Sequence, residues 1–483
     1  MRAIKSICYL SAAVLTSTAF SQDIIQPGSL ARGSAPAPLT AEANSYIVLF
    51  APATSRADRA TAALVAGATV RHNYAATDAM AVRVPNANAV EALRRNPRVI
   101  RVVPDFVVRA GDKPANPGGG SGGGGGGGTP YFSTRQVIST EVQRIGLPNA
   151  TSDGTGFGVA IIDSGIDFNH PDLKPALNSA ATAYNAISPG ASCQDDGGHG
   201  THIAGLIAAQ NNTIAIVGVA PGAKVYCVKV LASDLTGTDS NVLAGLDWVF
   251  TNRNAVNPPI RVVNVSLGRP LDPGETLNNS VFRPFIQSLY NAGVVVVASA
   301  GNDPNLEVSQ VVPAGFPEVI SVASTVAVSG TRTCLLFGDP ALGSVRADTA
   351  SGFTTDGAGV TISAPGEERT DIVTLGSLGC VGLEYGTLST TLNTTGATRK
   401  LVPSLAEARG SSFSAALVSG VVTRIFQKGL VTGTTGAAVE GVRTWLRNNA
   451  SQTGIAPIDH PWAGSVYPYT FDGVREGIAQ APN

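Results

Sequence analysis

The sequence GSSFSAALVSG, residues 410–420, decides how the rest of this chain is organised. Gly410 permits a sharp turn of the backbone, and the small and apolar residues after it predict a helix that continues to about Phe426. Ser412 would then lie at a helix start, where unpaired amide N–H groups and the helix dipole favour a developing anion. Serine is also a common N-cap, so this stretch alone does not distinguish a nucleophile from a structural cap.

Two further stretches supply the groups that a serine nucleophile needs. VAIIDSGID, residues 159–167, is an apolar run that predicts a buried strand, and Asp163 would emerge at its C-terminal end, where sites form in open α/β sheets. GHGTHIAG, residues 198–205, places His199 at the start of a second small-residue helix. A histidine can take the serine proton near neutral pH, and an aspartate can orient its imidazole.

The segments DSGID, HGTHIAG and GSSFSAALVSG resemble the three active-site blocks of the subtilisin-like (S8) serine peptidases, in the order of that family. The resemblance implies a serine endopeptidase that hydrolyses polypeptides through Asp163, His199 and Ser412 and requires no cofactor for this chemistry. It implies an α/β fold with a mainly parallel sheet flanked by helices. Alternating strand-like and helical runs in the second half of the chain predict the same architecture.

Two other segments gain a role from this resemblance. In SAGN, residues 299–302, an asparagine is by itself more often a turn residue, but in the family it donates its side-chain amide to the oxyanion. Asn302 is therefore assigned as the oxyanion donor. In the family, SLG is an edge segment that pairs with the substrate backbone, which predicts substrate binding by Ser266, Leu267 and Gly268. Without the resemblance, SLG is equally compatible with an ordinary connection.

The chain also departs from the family pattern. Phe413, Ala416 and Leu417 stand where the family usually has Met, Pro and His. These positions pack the helix, so we expect altered packing and retained activity. The segment between Asn302 and Ser412 is longer than usual, and residues 335–348 and 367–401 are interpreted as insertions that could reshape or cover the cleft. The sequence leaves the preferred substrate residue and the natural substrate open.

The N-terminus, residues 1–21, has the pattern of a secretory signal peptide. Arg2 and Lys5 precede an apolar stretch through Leu15, and small residues around Ser21 predict cleavage before Gln22. A membrane anchor is the alternative, but the apolar stretch is too short to cross a bilayer. We therefore expect a soluble protein exported to the periplasm or the extracellular space.

Four regions follow the signal peptide. Residues 22–40 are rich in Pro, Ala and Ser and are predicted to be disordered, whereas residues 41–110 predict a small α+β unit. That unit resembles the inhibitor I9-like propeptides of secreted subtilisins, which implies an intramolecular chaperone and inhibitor; an accessory domain is the alternative. Residues 111–130 form a glycine-rich linker, and residues 131–483 are the predicted catalytic domain. Propeptide cleavage is expected near residues 109–112.

The cysteines predict two disulfide bonds. Of five in the chain, Cys8 lies in the signal peptide, which leaves four in an exported protein. Four cysteines allow three pairings. We favour Cys193–Cys227, which flank the His199 helix, and Cys334–Cys380, of which Cys334 directly precedes the first insertion and Cys380 lies in the second. None of them has the spacing of a metal site.

Composition excludes some partners. The net charge of −1 gives no electrostatic case for binding nucleic acid or an anionic membrane, and we expect a monomer. Structural calcium is common in the family, but no acidic loop in this sequence identifies the ligands, so any metal site stays unknown.

Two alternatives to a serine peptidase remain. His199 and His202 could chelate a metal in a metallohydrolase, with Asp195 or Asp196 as the nearby acidic partner, although His202 is equally compatible with core packing. The second alternative is a catalytically inactive subtilisin-like binding scaffold. The presence of all four chemical residues argues against that alternative.

Overall fold

The computed structural model describes residues 39–111, 136–147, 150–179, 182–330, 347–374, 380–385, 387–395, 400–451 and 476–482. The predicted signal peptide, nearly all of the 22–40 segment, the glycine-rich linker beyond Gly111 and Cys334 lie outside these residues. The domain boundaries at residues 21, 40 and 130 therefore stay predictions.

Helices and strands alternate through most of the described chain. The helices are α1 (Arg56–Val65), α2 (Ala87–Arg94), α3 (Thr140–Arg144), α4 (His199–Ala208), α5 (Asp239–Asn252), α6 (Arg283–Asn291), α7 (Ser411–Gln427) and α8 (Gly436–Asn449). The strands are β1 (Ala41–Phe50), β2 (Thr69–Asn73), β3 (Ala79–Arg83), β4 (Val99–Ala110), β5 (Gly158–Asp163), β6 (Tyr184–Asn185), β7 (Lys224–Lys229), β8 (Thr236–Thr238), β9 (Ile260–Val265), β10 (Leu267–Pro270), β11 (Val295–Ser299), β12 (Val311–Val312), β13 (Ile320–Val326), β14 (Ile362–Glu367), β15 (Arg369–Thr374), β16 (Cys380–Tyr385), β17 (Thr387–Thr395) and β18 (Lys400–Ala408).

The N-terminal unit, residues 39–111, is an antiparallel sheet covered by two helices. Strand β1 lies between β3 and β4, and β2 extends the sheet beyond β3. Each helix begins with a side-chain cap: Ser55 Oγ accepts from Asp58 N, and Asn86 Oδ1 accepts from Ala89 N. Apolar residues of both helices share one core with the sheet, including Ala63 and Leu93. This is the α+β unit expected from the sequence, with β2 as an additional strand.

The remainder of the chain is built on a parallel sheet with the strand order β14-β13-β11-β9-β5-β7-β6. Helices cover both faces: α4, α7 and α8 share the core on one side, and α5 and α6 share the core on the other. Both faces are buried, which explains why the central strands are continuous apolar runs. The α/β fold class predicted from the sequence is the fold observed.

Small residues let the two helices that lead to the site run through the interior. Helix α4 is buried over its whole length, and α7 is buried from Ser411 to Phe426. A side chain at Gly420 would begin only 2.5 Å from Val219 Cβ, so a larger residue there would push α7 away from its neighbour. Because both helices consist mainly of small and apolar residues, they can be buried on all sides in the interior of a large domain.

Two features differ from the sequence-based prediction. The largely apolar run of residues 261–268 predicts one continuous strand, but it forms two, because the chain leaves the parallel sheet at Ser266 and continues as β10, which pairs antiparallel with β4 and β12. The predicted insertion 367–401 contains the paired strands β15 and β16, all of β17 and the start of β18, which pairs with β17. Strand β17 packs against α4. The insertion therefore covers the helix that begins with His199.

The described helices were also compared with the requirements of a membrane span. None of them combines the length and the apolar character that crossing a bilayer requires.

Candidate active site

Asp163 lies at the carboxyl end of β5, in the middle of the parallel sheet. Its side chain is fully buried, and Oδ1 accepts a hydrogen bond from Ser164 N at 2.7 Å. An aspartate in this position is held by the sheet itself, and its remaining acceptor capacity is directed at α4. The carboxyl end of a parallel sheet is the usual place for such groups.

His199 is the first residue of α4 and lies against this carboxylate. Its Nδ1 is 2.9 Å from both Oδ1 and Oδ2 of Asp163. The preceding Gly198 has φ 90°, a conformation that favours glycine. Gly200 passes so close to the β5 turn that a Cβ would lie 2.1 Å from Gly165 O. The glycines of the HGTHIAG block therefore set the approach of the imidazole to Asp163.

Asp195 fixes the start of α4 and was not recognised in this role from the sequence. Its Oδ1 accepts from Gly197 N and Gly198 N at 2.9 Å, and its Oδ2 accepts from Thr201 N at 3.0 Å. Ser164 Oγ also donates to it, at 2.8 Å. Burial raises the pKa of the Asp195 carboxyl. An Asp shortly before a helix start is a signal that could have identified this cap, although Asp196 next to it offers the same signal.

The geometry around His202 does not resemble a metal site. Asp195 is engaged by the cap, and Asp196 is paired with Lys229 Nζ at 2.6 Å. The His202 ring lies 4.5 Å from the Phe413 ring, centroid to centroid, which is a packing contact. Among the described residues, no three His, Cys, Asp or Glu side chains form a group that could hold a metal ion.

Asp172 and the segment 210–216 bring together oxygen atoms of the kind that calcium prefers as ligands. The buried Asp172 carboxylate accepts from Asn212 Nδ2 at 2.7 Å and from Ile216 N at 3.2 Å. Gln136 Nε2 donates to the carbonyls of Gln210 and Ile216 nearby. Burial raises the pKa of Asp172 to about 6. A carboxylate with amide and carbonyl oxygens is a chemically suitable set for calcium; the sequence analysis assigned no calcium ligands.

Ser412 is the second residue of α7, and Gly410 before it has φ 149°. The side chain is buried, and its Oγ donates to Ser266 O at 3.2 Å. His199 Nε2 has no hydrogen-bond partner within the described part of the chain. The structure thus brings Ser412 to the same end of the sheet as the Asp163–His199 pair, but the expected Ser412–His199 hydrogen bond is not formed. Such bonds are often made only when a substrate is engaged.

Asn302 follows β11 and points its amide nitrogen into the cleft. Ser411 N and Ser411 Oγ donate to its Oδ1 at 2.9 and 2.8 Å, which fixes the orientation of the amide. The opposite atom, Nδ2, lies 2.9 Å from the place that a Cβ of Gly111 would occupy. The sequence analysis did not recognise Ser411. The only sign of this role in the sequence is that Ser411 carries a hydroxyl group and directly precedes Ser412, the expected nucleophile.

The segment SLG forms one wall of the cleft, and the end of the N-terminal unit lies in it. Strand β10 pairs with β4 through Leu267 opposite Ala110 and Gly268 opposite Arg109. Ser266 lies just before this strand, and its Oγ donates to Ser412 O at 2.8 Å. Leu267 and Gly268 therefore pair with a strand of the chain itself, and Ser266 contacts Ser412, whereas the binding of substrate by these three residues stays a prediction.

The opposite wall of the cleft is β8. It pairs with β4 through Thr238 opposite Val107, Gly237 opposite Val108 and Thr236 opposite Arg109. The end of β4 is thus the middle strand of three: β8 pairs with residues 107–109, β10 pairs with residues 109–110, and Arg109 is paired on both sides. A cavity of about 520 Å³ adjoins the end of this strand; its lining includes Ser299, Gly301, Leu306, Val311, Thr355 and Ser412.

Cysteine pairing is resolved for one of the two expected bonds. Cys193 and Cys227 form a disulfide, which ties the loop before α4 to strand β7. The expected Cys334–Cys380 bond cannot be assessed, because Cys334 lies outside the described residues.

Comparison with known proteins gives a consistent family assignment. The model of the Peptidase_S8 subtilase family matches residues 154–462, more than half of the chain. The chain is 36% identical to subtilisin BL of Lederbergia lenta over 235 residues, which covers 48% of this chain and 72% of that protein. It is 36% identical to the minor extracellular protease Epr of Bacillus subtilis (strain 168) over 217 residues, which covers 45% of this chain and 28% of Epr.

The fold also matches a solved structure. Fervidolysin from Fervidobacterium pennivorans, described as a keratinolytic enzyme related to subtilisin, superposes with a TM-score of 0.62 at 19% identity. The superposition covers 93% of this chain and 61% of fervidolysin, and it demonstrates a shared fold. The chain therefore spans only part of several relatives that it matches, less than a third of Epr and 41% of subtilisin E.

Proposed function

Because the chain belongs to the subtilase family, we propose that it is a serine endopeptidase that hydrolyses polypeptides through Asp163, His199 and Ser412. The observation that carries this proposal is the strand in the cleft. Strand β4 lies between β8, which pairs with residues 107–109, and β10, which pairs with residues 109–110, and Gly111 at its end lies beside Ser412 and Asn302. A site that holds a peptide backbone against a serine hydroxyl is suited to peptide-bond cleavage.

The chemistry follows from the four side chains. Ser412 Oγ attacks the carbonyl carbon of the substrate while His199 Nε2 takes the hydroxyl proton, and Asp163 holds the imidazole and stabilises its cation. Asn302 Nδ2 and the Ser412 backbone N–H donate to the oxyanion. The proton then passes to the leaving amine, and water, activated in the same way, hydrolyses the acyl-enzyme. This sequence of steps needs no cofactor.

We also propose that the protein is made as a zymogen. The N-terminal unit fills the cleft with β4 and contacts the catalytic part at further points: Asp105 accepts from Ser240 N and Oγ at 2.8 and 2.6 Å, and Asp247 accepts from Ala76 N at 2.6 Å. Asp105 is buried and Asp247 is partly buried, and the loss of hydration raises the pKa of both carboxyl groups. A unit anchored in this way would inhibit the enzyme and support its folding.

The register of β4 supports a specific proposal for the bond that is cut. Because Ala110 lies opposite Leu267, the next residue, Gly111, faces Ser266, whose carbonyl accepts the Ser412 hydroxyl. An added Cβ at Gly111 would lie 3.4 Å from Ser412 Oγ, so the carbonyl group of Gly111 is the one that we expect Ser412 to attack. We propose autocleavage between Gly111 and Asp112, within the range expected from the sequence.

Export and a monomeric state complete the proposal. Support for export comes from the signal-like residues 1–21, from the Cys193–Cys227 disulfide and from the name of one relative, a minor extracellular protease. No specific observation favours the inactive-scaffold alternative, because the four chemical side chains converge on one end of the sheet.

Intact mass spectrometry tests the proposal. Purified precursor and its Ser412→Ala variant are incubated at neutral pH, with and without a serine-directed covalent inhibitor. We expect the wild type to release a fragment ending at Gly111 and to gain one inhibitor adduct, and the variant to do neither. If both proteins remain whole and unlabelled after folding with calcium supplied, the catalytic proposal is wrong and the scaffold alternative takes its place.

A further inference from the structure

Arg269 makes the most extensive buried ion-pair network among the described residues. It follows Gly268 in β10, and its side chain is 2% exposed. Nε and Nη2 donate to the Asp239 carboxylate at 2.9 and 2.8 Å, and Nη1 donates to Glu275 at 2.7 Å. The planar guanidinium thus binds two carboxylates at once, a geometry that the single point charge of a lysine cannot reproduce.

Arg269 and its partner Asp239 lie on opposite sides of the cleft. Asp239 is the first residue of α5 and directly follows β8, whereas Arg269 belongs to β10. Since β4 lies between these two strands, the ion pair spans two strand spacings, about 10 Å. It is a direct side-chain link between the two walls of the cleft, and it would persist when the middle strand leaves.

The same guanidinium contacts the strand that occupies the cleft. Its Cζ lies 5.0 Å from the centroid of the Phe106 ring, close enough for a cation–π contact. Burial raises the pKa of Asp239, and the charge of Arg269 opposes this rise. Without Arg269 the Asp239 carboxylate would be buried with no cationic partner, so the two walls would lose the contact that holds them together.

We infer that Arg269 is a positioning residue for substrate binding: through Asp239 it holds β8 and β10 at the spacing that admits one extended peptide strand. This inference rests on the proposed peptidase function. Arg269 touches none of the reacting groups, and its effect should grow with the number of substrate residues that pair with β8 and β10. It is therefore expected to act on long peptides and not on a substrate that reaches only the residue next to Ser412.

The kinetic test compares substrates of two lengths in wild type, Arg269→Lys and Arg269→Met. The long substrate has five residues before the scissile bond, and the short one is an ester of a single amino acid. In both variants we expect kcat/KM for the long substrate to fall at least about tenfold, mainly through KM, while kcat/KM for the ester changes less than about twofold. Active-site titration corrects each preparation for the fraction that folds.

Arg443→Met is the matched control. Arg443 is also largely buried and ion-paired, with Glu440 at 3.1 Å, but it donates to Thr361 Oγ1 just before β14, at the amino end of the sheet. Its loss should lower thermal stability without changing the ratio of the two kcat/KM values. A merely structural role of Arg269 would give the same result as this control.

Hydrogen exchange provides a readout that does not need catalysis. In full-length chains carrying Ser412→Ala, Arg269→Lys should accelerate exchange of the Val107–Ala110 amides, and Arg443→Met should leave it unchanged. If an Arg269 variant lost kcat/KM equally on both substrates, so that the ratio of the two values stayed unchanged, the inference would be overturned. Unchanged exchange of the Val107–Ala110 amides in Arg269→Lys would also overturn it. A wild type that cleaves neither substrate would contradict the proposed function, and the exchange experiment would still decide the role of Arg269.

Discussion

Ser411 holds Asn302 by two hydrogen bonds, from its backbone N–H and its hydroxyl to the same amide oxygen, at 2.9 and 2.8 Å. This contact turns Asn302 Nδ2 toward the end of the cleft strand, where the oxyanion of a tetrahedral intermediate would form. Ser411 thus orients Asn302, the residue that we propose as the oxyanion donor. Preorganised donors of this kind account for much of the rate of acyl transfer.

Removing the oxyanion donor should lower kcat and leave KM nearly unchanged. Asn302→Ala is expected to reduce kcat by about 10²–10³-fold, a range taken from subtilisin itself. Ser411→Ala removes one of the two hydrogen bonds that orient the amide and should cost about tenfold in kcat. Steady-state kinetics on a peptide substrate measures both. A change confined to KM would mean that Asn302 binds substrate and does not stabilise the oxyanion.

The Asp163–His199 contact predicts a large loss on removal of the carboxylate charge. Asp163→Asn should reduce kcat by about 10⁴-fold, the order of loss that subtilisin shows for its own triad aspartate, because the imidazole loses its orienting anion. Asp153→Asn is the control: Asp153 lies before β5 at the amino end of the sheet, and an amide can keep its acceptor contacts to Thr155 N and Gln427. Equal activity of the two variants would exclude Asp163 from the mechanism.

Phe413 predicts resistance to peroxide. It lies beside Ser412 and packs on the His199 and His202 rings at 5.6 and 4.5 Å, where the family usually has methionine. The two methionines of the chain are Met1 and Met80, so a protein cut after Gly111 contains none. Residual activity after peroxide treatment should match the untreated enzyme. Phe413→Met should lose activity in proportion to sulfoxide formation, which mass spectrometry measures.

His72 predicts that acid weakens the hold of the N-terminal unit. Burial, together with the charge of Arg71, lowers the pKa of this β2 residue to about 4 from an ordinary value of 6.5. A histidine whose pKa is depressed on folding contributes stability above pH 6.5, and this stability is lost as the pH falls toward 4. At pH 5 the loss is about 2 kcal/mol, from the two pKa values.

The measurement is the free energy of unfolding of the N-terminal unit in the Ser412→Ala chain, at pH 7 and pH 5, with and without His72→Phe. The difference between the two pH values should shrink by about 2 kcal/mol in the double variant. Asp105 and Asp247 have raised pKa values and act with the opposite sign, but they are common to both proteins and cancel in this comparison. An unchanged difference would show that His72 does not carry the acid sensitivity.

Much of this protein could be predicted from local sequence. The apolar run ending at Asp163, the glycines around His199 and the small residues after Ser412 determine strands and helices through periodicity and backbone freedom, which are properties of neighbouring residues. For the same reason the parallel α/β architecture and the α+β unit were predictable, and the family assignment confirms the recognition made from the three blocks. The catalytic roles themselves remain to be tested by the variants above.

Other features depend on residues far apart in the chain, and only the tertiary structure decided them. The break at Ser266 exists because β10 finds partners in β4 and β12, more than 150 and about 45 residues away. The Ser411–Asn302 and Arg269–Asp239 contacts join separate segments. The Ser412 hydroxyl donates to Ser266, and not to His199, in a cleft filled by the chain's own strand. Periodicity reports which face of an element is buried, whereas these contacts depend on which elements the fold places side by side.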